Sequence, residues 1–171
     1  MNVAKISLKW LNLERRNFKA SRYLEVGYHN LWDTKKYSMT SLVKDYMDGN
    51  MVTIQPEASA TDAAKLMLRN RIGSLIVKND ATYLGILTEG DISRKVIAME
   101  IAPTEISVKE IMSKDILAID SRCTMREAFL QMNKRKIRHI AVTNNGRYIG
   151  VLSIKDFANY CSNGLVKQTG E

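Results

Sequence analysis

The chain has little of what builds covalent scaffolds, metal sites or catalytic centres. Its 171 residues include two cysteines, two histidines and two prolines. Cys123 and Cys161 lie far apart in sequence without Cys or His at ligand spacing, which favours neither a disulfide framework nor a zinc site. No residue near His29 or His139 supplies a nucleophile with an oriented base. We therefore expect neither a metal cofactor nor enzymatic activity.

Long apolar runs are also missing. No stretch approaches the roughly 18 to 20 apolar residues that a membrane helix needs, because Lys and Arg interrupt every hydrophobic run. Residues 1–16 lack the apolar core and the small-residue cleavage site of a secretory signal. A hydrophobic content of 45% is enough for a buried core. The sequence thus predicts a globular, cytoplasmic protein without membrane attachment.

Positive charge is concentrated at the start of the chain. Of the net charge of +8, residues 1–40 contribute +5, with eight Lys/Arg against three Asp/Glu. Such a basic extension suits nucleic acid, an acidic lipid surface or an acidic partner, and a solvated extension explains it equally well. Aromatic residues interleave with the charges, which keeps a nucleic-acid-associated protein as the alternative function. No zinc-finger spacing or RNP motif supports that alternative, and an amphipathic docking helix fits the same residues.

An internal repeat organises the rest of the chain. Residues 43–96 align with residues 108–161 at a constant offset of 65, with no gap. VKDYM in the first copy corresponds to VKEIM in the second. Identities fall at positions of structural meaning, and they include Ala63/Ala128, Met67/Met132, Val77/Val142, Tyr83/Tyr148, Gly85/Gly150, Leu87/Leu152 and Asp91/Asp156. A match of this length indicates two copies of one structural unit.

Each copy predicts the order α-β-α-β-β-α. Ser59 and Thr124 stand as N-caps before an amphipathic helix in each copy, and NDAT or NNGR has the composition of a hairpin turn between two apolar strands. The predicted elements are entry helices at 41–47 and 107–112, short strands at 51–54 and 116–119, helices at 60–71 and 125–136, hairpins at 74–88 and 139–153, and last helices beginning at Glu89 and Ile154.

Units of about 60 residues bury only marginal surface alone, so the two copies should pack together. The stretch around Pro103 has the character of a linker. The sequence therefore predicts an α+β protein with five parts: a basic N-terminal extension at 1–40, a first repeat at 41–98, a linker at 99–106, a second repeat at 107–162 and a C-terminal tail at 163–171.

The chemistry is concentrated at the end of the third strand of each repeat. There the pattern Gly-apolar-apolar-Thr/Ser-x-x-Asp occurs at 85–91 and again at 150–156. A strand-to-helix junction presents free backbone N–H groups and the positive end of the helix dipole beside a hydroxyl, which favours an anion such as phosphate. The carboxylate three residues later can accept from two vicinal ribose hydroxyls. A capping box built from the same hydroxyl and carboxylate is the alternative interpretation.

The repeat order, the VKDYM-type entry and the segments GILTEGD and GVLSIKD resemble a pair of CBS (cystathionine β-synthase type) domains, known as a Bateman module. The resemblance covers residues 41–161. It implies two clefts between repeats packed with pseudo-twofold symmetry, which hold AMP, ADP, ATP or another adenosyl ligand such as S-adenosylmethionine. It also implies a regulatory, energy-sensing role and a homodimer, with the regulated partner left open.

The resemblance assigns a role to each half of the clefts. Asp91 and Asp156 would hold ribose hydroxyls, with Thr88 and Ser153 near the ribose and phosphate. The adenine would be bordered by the first strands and by the entries to the second strands, namely Thr53, Ile54, Ile72, Gly73, Ala118, Ile119, Ile137 and Arg138.

The two copies differ where a phosphate would lie. Family members often carry Arg before the motif Asp, whereas this chain has Gly90 in the first copy and Lys155 in the second. Arg138 and His139 of the second copy correspond to Gly73 and Ser74 of the first. We therefore expect Arg138, His139 and Lys155 to contact phosphate, and we expect the cations at 134–136 mainly to complement a helix C-terminus.

Two further interpretations bear on the chain as a whole. A catalytic subunit akin to inosine-monophosphate dehydrogenase would need a barrel of at least about 200 further residues, which this sequence does not contain. Met39 lies where the resemblance begins. Residues 1–38 are therefore either part of the natural protein or, if translation starts at Met39, not part of it.

Overall fold

A computed structural model describes residues 41–166, with side chains to residue 162. The predicted basic extension lies outside the described residues. A 3-10 turn at Val43–Asp45 precedes the first repeat and another at Ile97–Met99 follows it. The first repeat contains β1 (Thr53–Ile54), α1 (Ala60–Asn70), β2 (Ser74–Asn79), β3 (Thr82–Thr88) and α2 (Glu89–Lys95). The second contains α3 (Val108–Ile111), β4 (Ala118–Asp120), α4 (Met125–Arg135), β5 (His139–Asn144), β6 (Arg147–Ser153) and α5 (Ile154–Val166).

Each repeat forms its own three-stranded sheet. The orders are β1-β2-β3 and β4-β5-β6, with a parallel first pair and an antiparallel second pair in both. The ladders shift register at equivalent places, after Val77 and after Val142. The predicted α+β architecture of two tandem repeats is therefore confirmed.

Capping side chains set where the main helices begin. The Ser59 hydroxyl accepts from the Asp62 N–H, the Thr124 hydroxyl accepts from the Glu127 N–H, and in each helix the acidic residue returns the bond to the N-cap. These reciprocal bonds satisfy N–H groups that a helix start leaves free. The prediction of both N-caps is confirmed.

One of the two entry segments differs from the prediction. Instead of a helix over 41–47 the chain forms the 3-10 turn Val43–Asp45, whereas the helix expected at 107–112 is present as α3, with Ser107 and Met112 as its caps. Both segments bond to the other repeat: the Val43 N–H donates to the Cys123 carbonyl at 2.9 Å, and the Val108 N–H donates to the Ala58 carbonyl at 2.8 Å. The entry segment of each repeat therefore packs against the other repeat.

Two equivalent glycines allow this exchange. A Cβ on Gly85 would lie 2.5 Å from the Ser113 carbonyl oxygen, and a Cβ on Gly150 would overlap the Asp48 carbonyl oxygen. Beside them the entry backbones pair in short bridges, Ile86 with Ser113 and Val151 with Asp48. The motif glycine is needed because another backbone approaches it closely.

The two repeats also meet through their hairpins. Tyr83 on β3 and Tyr148 on β6 occupy equivalent positions, and their ring centroids are 4.8 Å apart. Exchanged α3 residues complete the first repeat's core, because Val108 and Ile111 are buried in one cluster with Met67, Leu75 and Leu87. Contacts between equivalent positions of the two copies give the pair its pseudo-twofold symmetry.

Candidate ligand-binding cleft

A cavity of about 450 Å³ lies between the two repeats. This volume falls in the usual range for small-molecule sites. The cavity lies beside the second of the two Gly-apolar-apolar-Thr/Ser-x-x-Asp motifs, which spans residues 150–156, whereas the first spans residues 85–91. Both repeats and the exchanged entry segment line it, and the lining residues are Tyr46, Met47, Asp48, Asn50, Val52, Arg71, Ile72, Gly73, Ser74, Glu89, Arg138, His139, Val151, Ser153, Ile154, Lys155, Asp156 and Asn159.

The second motif supplies one wall of this cleft. The Ser153 backbone N–H and hydroxyl each donate to Asp156 Oδ2, both at 2.7 Å. Within the described part of the chain, Oδ1 of the same carboxylate takes part in no hydrogen bond or ion pair. The carboxylate is half-buried and lines the cavity. Its outer oxygen is therefore available to accept from a ligand.

The first motif has the same inner contacts and a different outer one. The Thr88 N–H and hydroxyl donate to Asp91 Oδ2 at 3.0 and 2.6 Å, and Lys95 Nζ lies 2.9 Å from Asp91 Oδ1. Burial alone would raise the pKa of Asp91, but hydrogen bonds from Thr88 and Lys95 outweigh burial and lower that pKa. Asp91 is thus a buried, ionised and fully paired carboxylate.

A complete capping box is present at the first motif, where the Asp91 N–H also donates to the Thr88 hydroxyl, whereas among the described residues the second motif shows only the contacts from Ser153 to the Asp156 carboxylate. In both motifs the residue just before the helix, Thr88 or Ser153, donates its backbone N–H to Oδ2 of the motif aspartate. This contact uses one oxygen of each carboxylate, so it is compatible with ligand recognition at Asp156, whose other oxygen has no partner within the described residues.

His139 of the second repeat lies against Gly73 of the first repeat and lines the cleft. A Cβ on Gly73 would come 3.0 Å from His139 Nε2 and 3.2 Å from the Glu89 carboxyl carbon. Burial and the neighbouring Arg138 charge lower the pKa of His139 below its usual 6.5, although Glu89 and Asp156 oppose the shift. The imidazole is therefore neutral near pH 7.

Charges of both signs line the cleft. Arg71 comes from the left-handed residue that ends α1 (φ 54°), while Arg138 and Lys155 come from the second repeat. The acidic lining residues are Asp48, Glu89 and Asp156. An anionic ligand that also offers hydroxyl donors would complement this mixture better than a purely anionic or purely cationic one.

Half of the residues expected at the ligand lie together in this cleft. Those that line the cavity are Ile72, Gly73, Arg138, His139, Ser153, Lys155 and Asp156. The residues of the cavity's lining do not include Thr53, Ile54, Thr88, Asp91, Ala118, Ile119 or Ile137. Lys134 and Arg135, expected to complement a helix end, lie in the last turn of α4.

Several residues that line the cavity were not predicted from the sequence. Tyr46, Met47, Asp48 and Asn50 reach the cleft only because the first entry segment packs on the second repeat, where the backbones of Asp48 and Val151 exchange hydrogen bonds at 3.1 Å. Asn159 lies one helical turn after Lys155 on α5 and was also missed. The identical motif glycines were the one sequence signal for this close approach, since a side chain there would exclude the entry backbone.

Residues 41–162 contain no cluster of three or more His, Cys, Asp or Glu side chains placed to hold a metal ion. Among the described helices, none has the length and apolar character required to span a bilayer.

The structure is thus a module of two tandem repeats with exchanged entry segments and a cleft between them. The CBS-domain family model matches residues 43–98 and 108–163, and the chain belongs to this family. It is 27% identical over 124 residues to the CBS domain-containing protein YhcV of Bacillus subtilis, covering 72% of this chain and 88% of that protein. It spans a smaller share, 58% and 56%, of two archaeal relatives.

Solved structures give the same result. A CBS-domain protein from Agrobacterium tumefaciens matches with a TM-score of 0.66 and 31% identity, over 72% of this chain and 95% of that one. A hexameric CBS-CP12 protein from bloom-forming cyanobacteria matches with a TM-score of 0.66 and 30% identity, over 70% and 67%. CBS-domain pairs are generally regulatory, nucleotide-binding modules, so the chain falls in a regulatory rather than a typically catalytic class.

Proposed function

We propose that this chain is a non-catalytic regulatory module that binds an adenosine-containing nucleotide of the AMP, ADP or ATP type in the cleft at Asp156. One observation carries the proposal: a cavity of about 450 Å³ combines a carboxylate oxygen free to accept hydroxyls with three cationic side chains. A ribose phosphate presents hydroxyl donors and negative charge in one molecule, which matches this combination.

Each part of the nucleotide has a complementary group in the cleft. The ribose hydroxyls donate to Asp156 Oδ1, and the phosphate lies at the start of α5, where Lys155 and Arg138 supply charge. The adenine takes the apolar part of the lining, formed by Met47, Val52, Ile72 and Val151. S-adenosylmethionine shares the adenosine part and is tested beside the nucleotides.

Ligand binding would be transmitted through the exchanged entry segments or through an oligomer. Tyr46, Met47, Asp48 and Asn50 line the cleft, so a nucleotide bound there would contact both repeats and the segment that follows residues 1–40. Leu68 on α1 and Leu130 on α4 are 79% and 48% exposed, and a structural relative is hexameric. These features support self-association, with a homodimer as the smallest assembly.

Binding of nucleic acid remains the alternative for residues 1–40, which lie outside the described residues. No feature of the cleft favours it, because three carboxylates accompany the three basic side chains.

The proposal is tested by titrating the full chain in a calorimeter with adenosine, AMP, ADP, ATP, NAD and S-adenosylmethionine, with GMP as the base control. We expect saturable binding of at least one adenine compound, and we expect phosphorylated forms to bind at least tenfold more tightly than adenosine if one charge-assisted bond forms. Absence of binding across the series, or equal binding of GMP, would contradict it.

Nucleotide binding should also take up protons through His139. A phosphate beside the imidazole favours the charged form and raises its pKa from the lowered value of the free chain. By linkage, affinity for AMP rises as pH falls through the pKa of the complex and levels off below that of the free chain. Calorimetry in buffers of different ionisation enthalpy measures this uptake.

The matched variant for this measurement is His139→Gln, which keeps a polar side chain without a titrating ring. Because AMP itself changes ionisation near pH 6, the informative quantity is the difference between wild type and variant at each pH. If proton uptake is the same in both, His139 is not linked to the ligand.

A further inference from the structure

The outer oxygens of the two motif carboxylates have different environments. Asp156 Oδ1 has no partner in the described part of the chain, whereas Asp91 Oδ1 lies 2.9 Å from Lys95 Nζ. Lys95 also donates to the Ile111 carbonyl at 2.6 Å, so α3 of the other repeat holds the ammonium in place. The residue equivalent to Lys95 in the second repeat is Tyr160, which carries no charge.

The two motif aspartates also differ in solvent exposure. The Asp91 side chain is 7% exposed and belongs to an ion pair, while Asp156 is half-buried and lines the cavity. To bind ribose through Asp91 Oδ1, a ligand would have to displace Lys95 and leave both charges with new partners. The Lys95 side chain is 41% exposed and can be hydrated when displaced, but the buried Asp91 carboxylate would lose its charge-assisted partner, which is costly.

A second cation covers the phosphate side of the same motif. The Arg94 guanidinium lies against Gly90, where a Cβ would come 2.8 Å from one of its terminal nitrogens. Gly90 corresponds to Lys155 and Arg94 corresponds to Asn159, two residues that line the cavity at the second motif. In the first repeat, therefore, the chain's own Arg and Lys surround the first turn of α2.

We infer that Lys95 closes the Asp91 half-site, so that the chain binds one nucleotide, at Asp156. Lys95 is a specificity-determining residue: its ammonium serves as the internal partner that ribose hydroxyls would otherwise provide. Asp91 then acts as a structural carboxylate that caps α2 and ties it to α3. This inference rests on the proposed function, since it assigns the nucleotide to one of two homologous motifs.

The test uses the full chain titrated with AMP in a calorimeter. We expect one AMP per wild-type chain. Removing the open site with Asp156→Ala should leave no binding of wild-type affinity, a loss of at least tenfold. Removing the ammonium beside Asp91 with Lys95→Met should raise the stoichiometry from one to two AMP per chain. The double variant Lys95→Met/Asp156→Ala should bind one AMP, through Asp91.

Lys109→Met is the matched control, because Lys109 is an exposed lysine on α3 that contacts neither motif aspartate, and it should leave the stoichiometry at one. If Lys95→Met does not fold, Lys95→Gln replaces it, and the wild-type and Asp156→Ala titrations still decide whether Asp91 binds.

Failure of this inference is distinguishable from failure of the proposed function. Two AMP per wild-type chain, full binding by Asp156→Ala, or a stoichiometry of one in a folded Lys95→Met would overturn the role of Lys95 while nucleotide binding stands. No binding of any adenine compound by wild type would overturn both.

Discussion

Replacing Asp156 by alanine is expected to weaken AMP binding by at least tenfold. The substitution removes the carboxylate oxygen that has no partner within the described residues, and each charge-assisted hydrogen bond to it stabilises a complex by about 1.5 to 3 kcal/mol. Two ribose hydroxyls at this oxygen or its neighbour would make the loss larger. Titration calorimetry of wild type and variant at equal salt measures the difference.

The same substitution also removes the acceptor of the Ser153 N–H and hydroxyl, which is expected to cost roughly 0.5 to 1.5 kcal/mol of stability for each hydrogen bond lost. Asp62→Ala is the matched control, because Asp62 makes the equivalent reciprocal contact with Ser59 on an exposed helix start outside the cleft. It should lose similar stability and keep its affinity for AMP. Unchanged binding in a folded Asp156→Ala would show that the carboxylate is only a cap.

Replacing Gly150 by alanine should have the largest effect on the fold. The new methyl group would overlap the Asp48 carbonyl oxygen, and the two backbone hydrogen bonds between Asp48 and Val151 would have to lengthen or break. Forcing extra volume into such a packed contact costs about 1 to 3 kcal/mol. The free energy of unfolding in urea should fall by that amount, and AMP affinity should fall with it because residues 46–50 shift.

Gly49→Ala is the control for this effect, because a Cβ at Gly49 meets nothing within 4 Å. A change at that exposed position should stay within about 0.5 kcal/mol. Equal stability of the Gly150→Ala and wild-type proteins would mean that the entry segment does not pack on β6 as described.

Much of the fold followed from the sequence because local signals and the repeat agreed. Ser59 and Thr124 lie three residues before an acidic side chain, so the start of each long helix could be placed within a residue. The hairpin turns were equally legible, since Asn145 and Gly146 both have positive φ as a tight turn requires. These features depend on neighbours within a few residues.

The exchange of entry segments could not be predicted in the same way. VKDYM reads locally as helix, but its first N–H groups bond to carbonyls of residues 121 and 123 in the other repeat. A periodic pattern contains no information about which unit receives the donor. As a result Tyr46, Asp48 and Asn50 were absent from the predicted site, although they form one wall of the cleft.

The different charged surroundings of Asp91 and Asp156 could be predicted only in part from the sequence. The sequence placed Lys155 opposite Gly90, which favours phosphate at the second motif. The spacing of Asp91 and Lys95, four residues apart on α2, is compatible with an ion pair. The sequence gives no indication of the second bond of Lys95, to the Ile111 carbonyl, because that bond depends on the packing of α3 against the first repeat.

The most direct test of nucleotide binding at Asp156 is a crystal structure of the full chain grown with AMP. The account predicts one AMP in the cleft, with both ribose hydroxyls within hydrogen-bond distance of the Asp156 carboxylate and the phosphate beside Lys155 or Arg138. AMP bound elsewhere, or a cleft that stays empty at an AMP concentration that saturates the chain in solution, would contradict it.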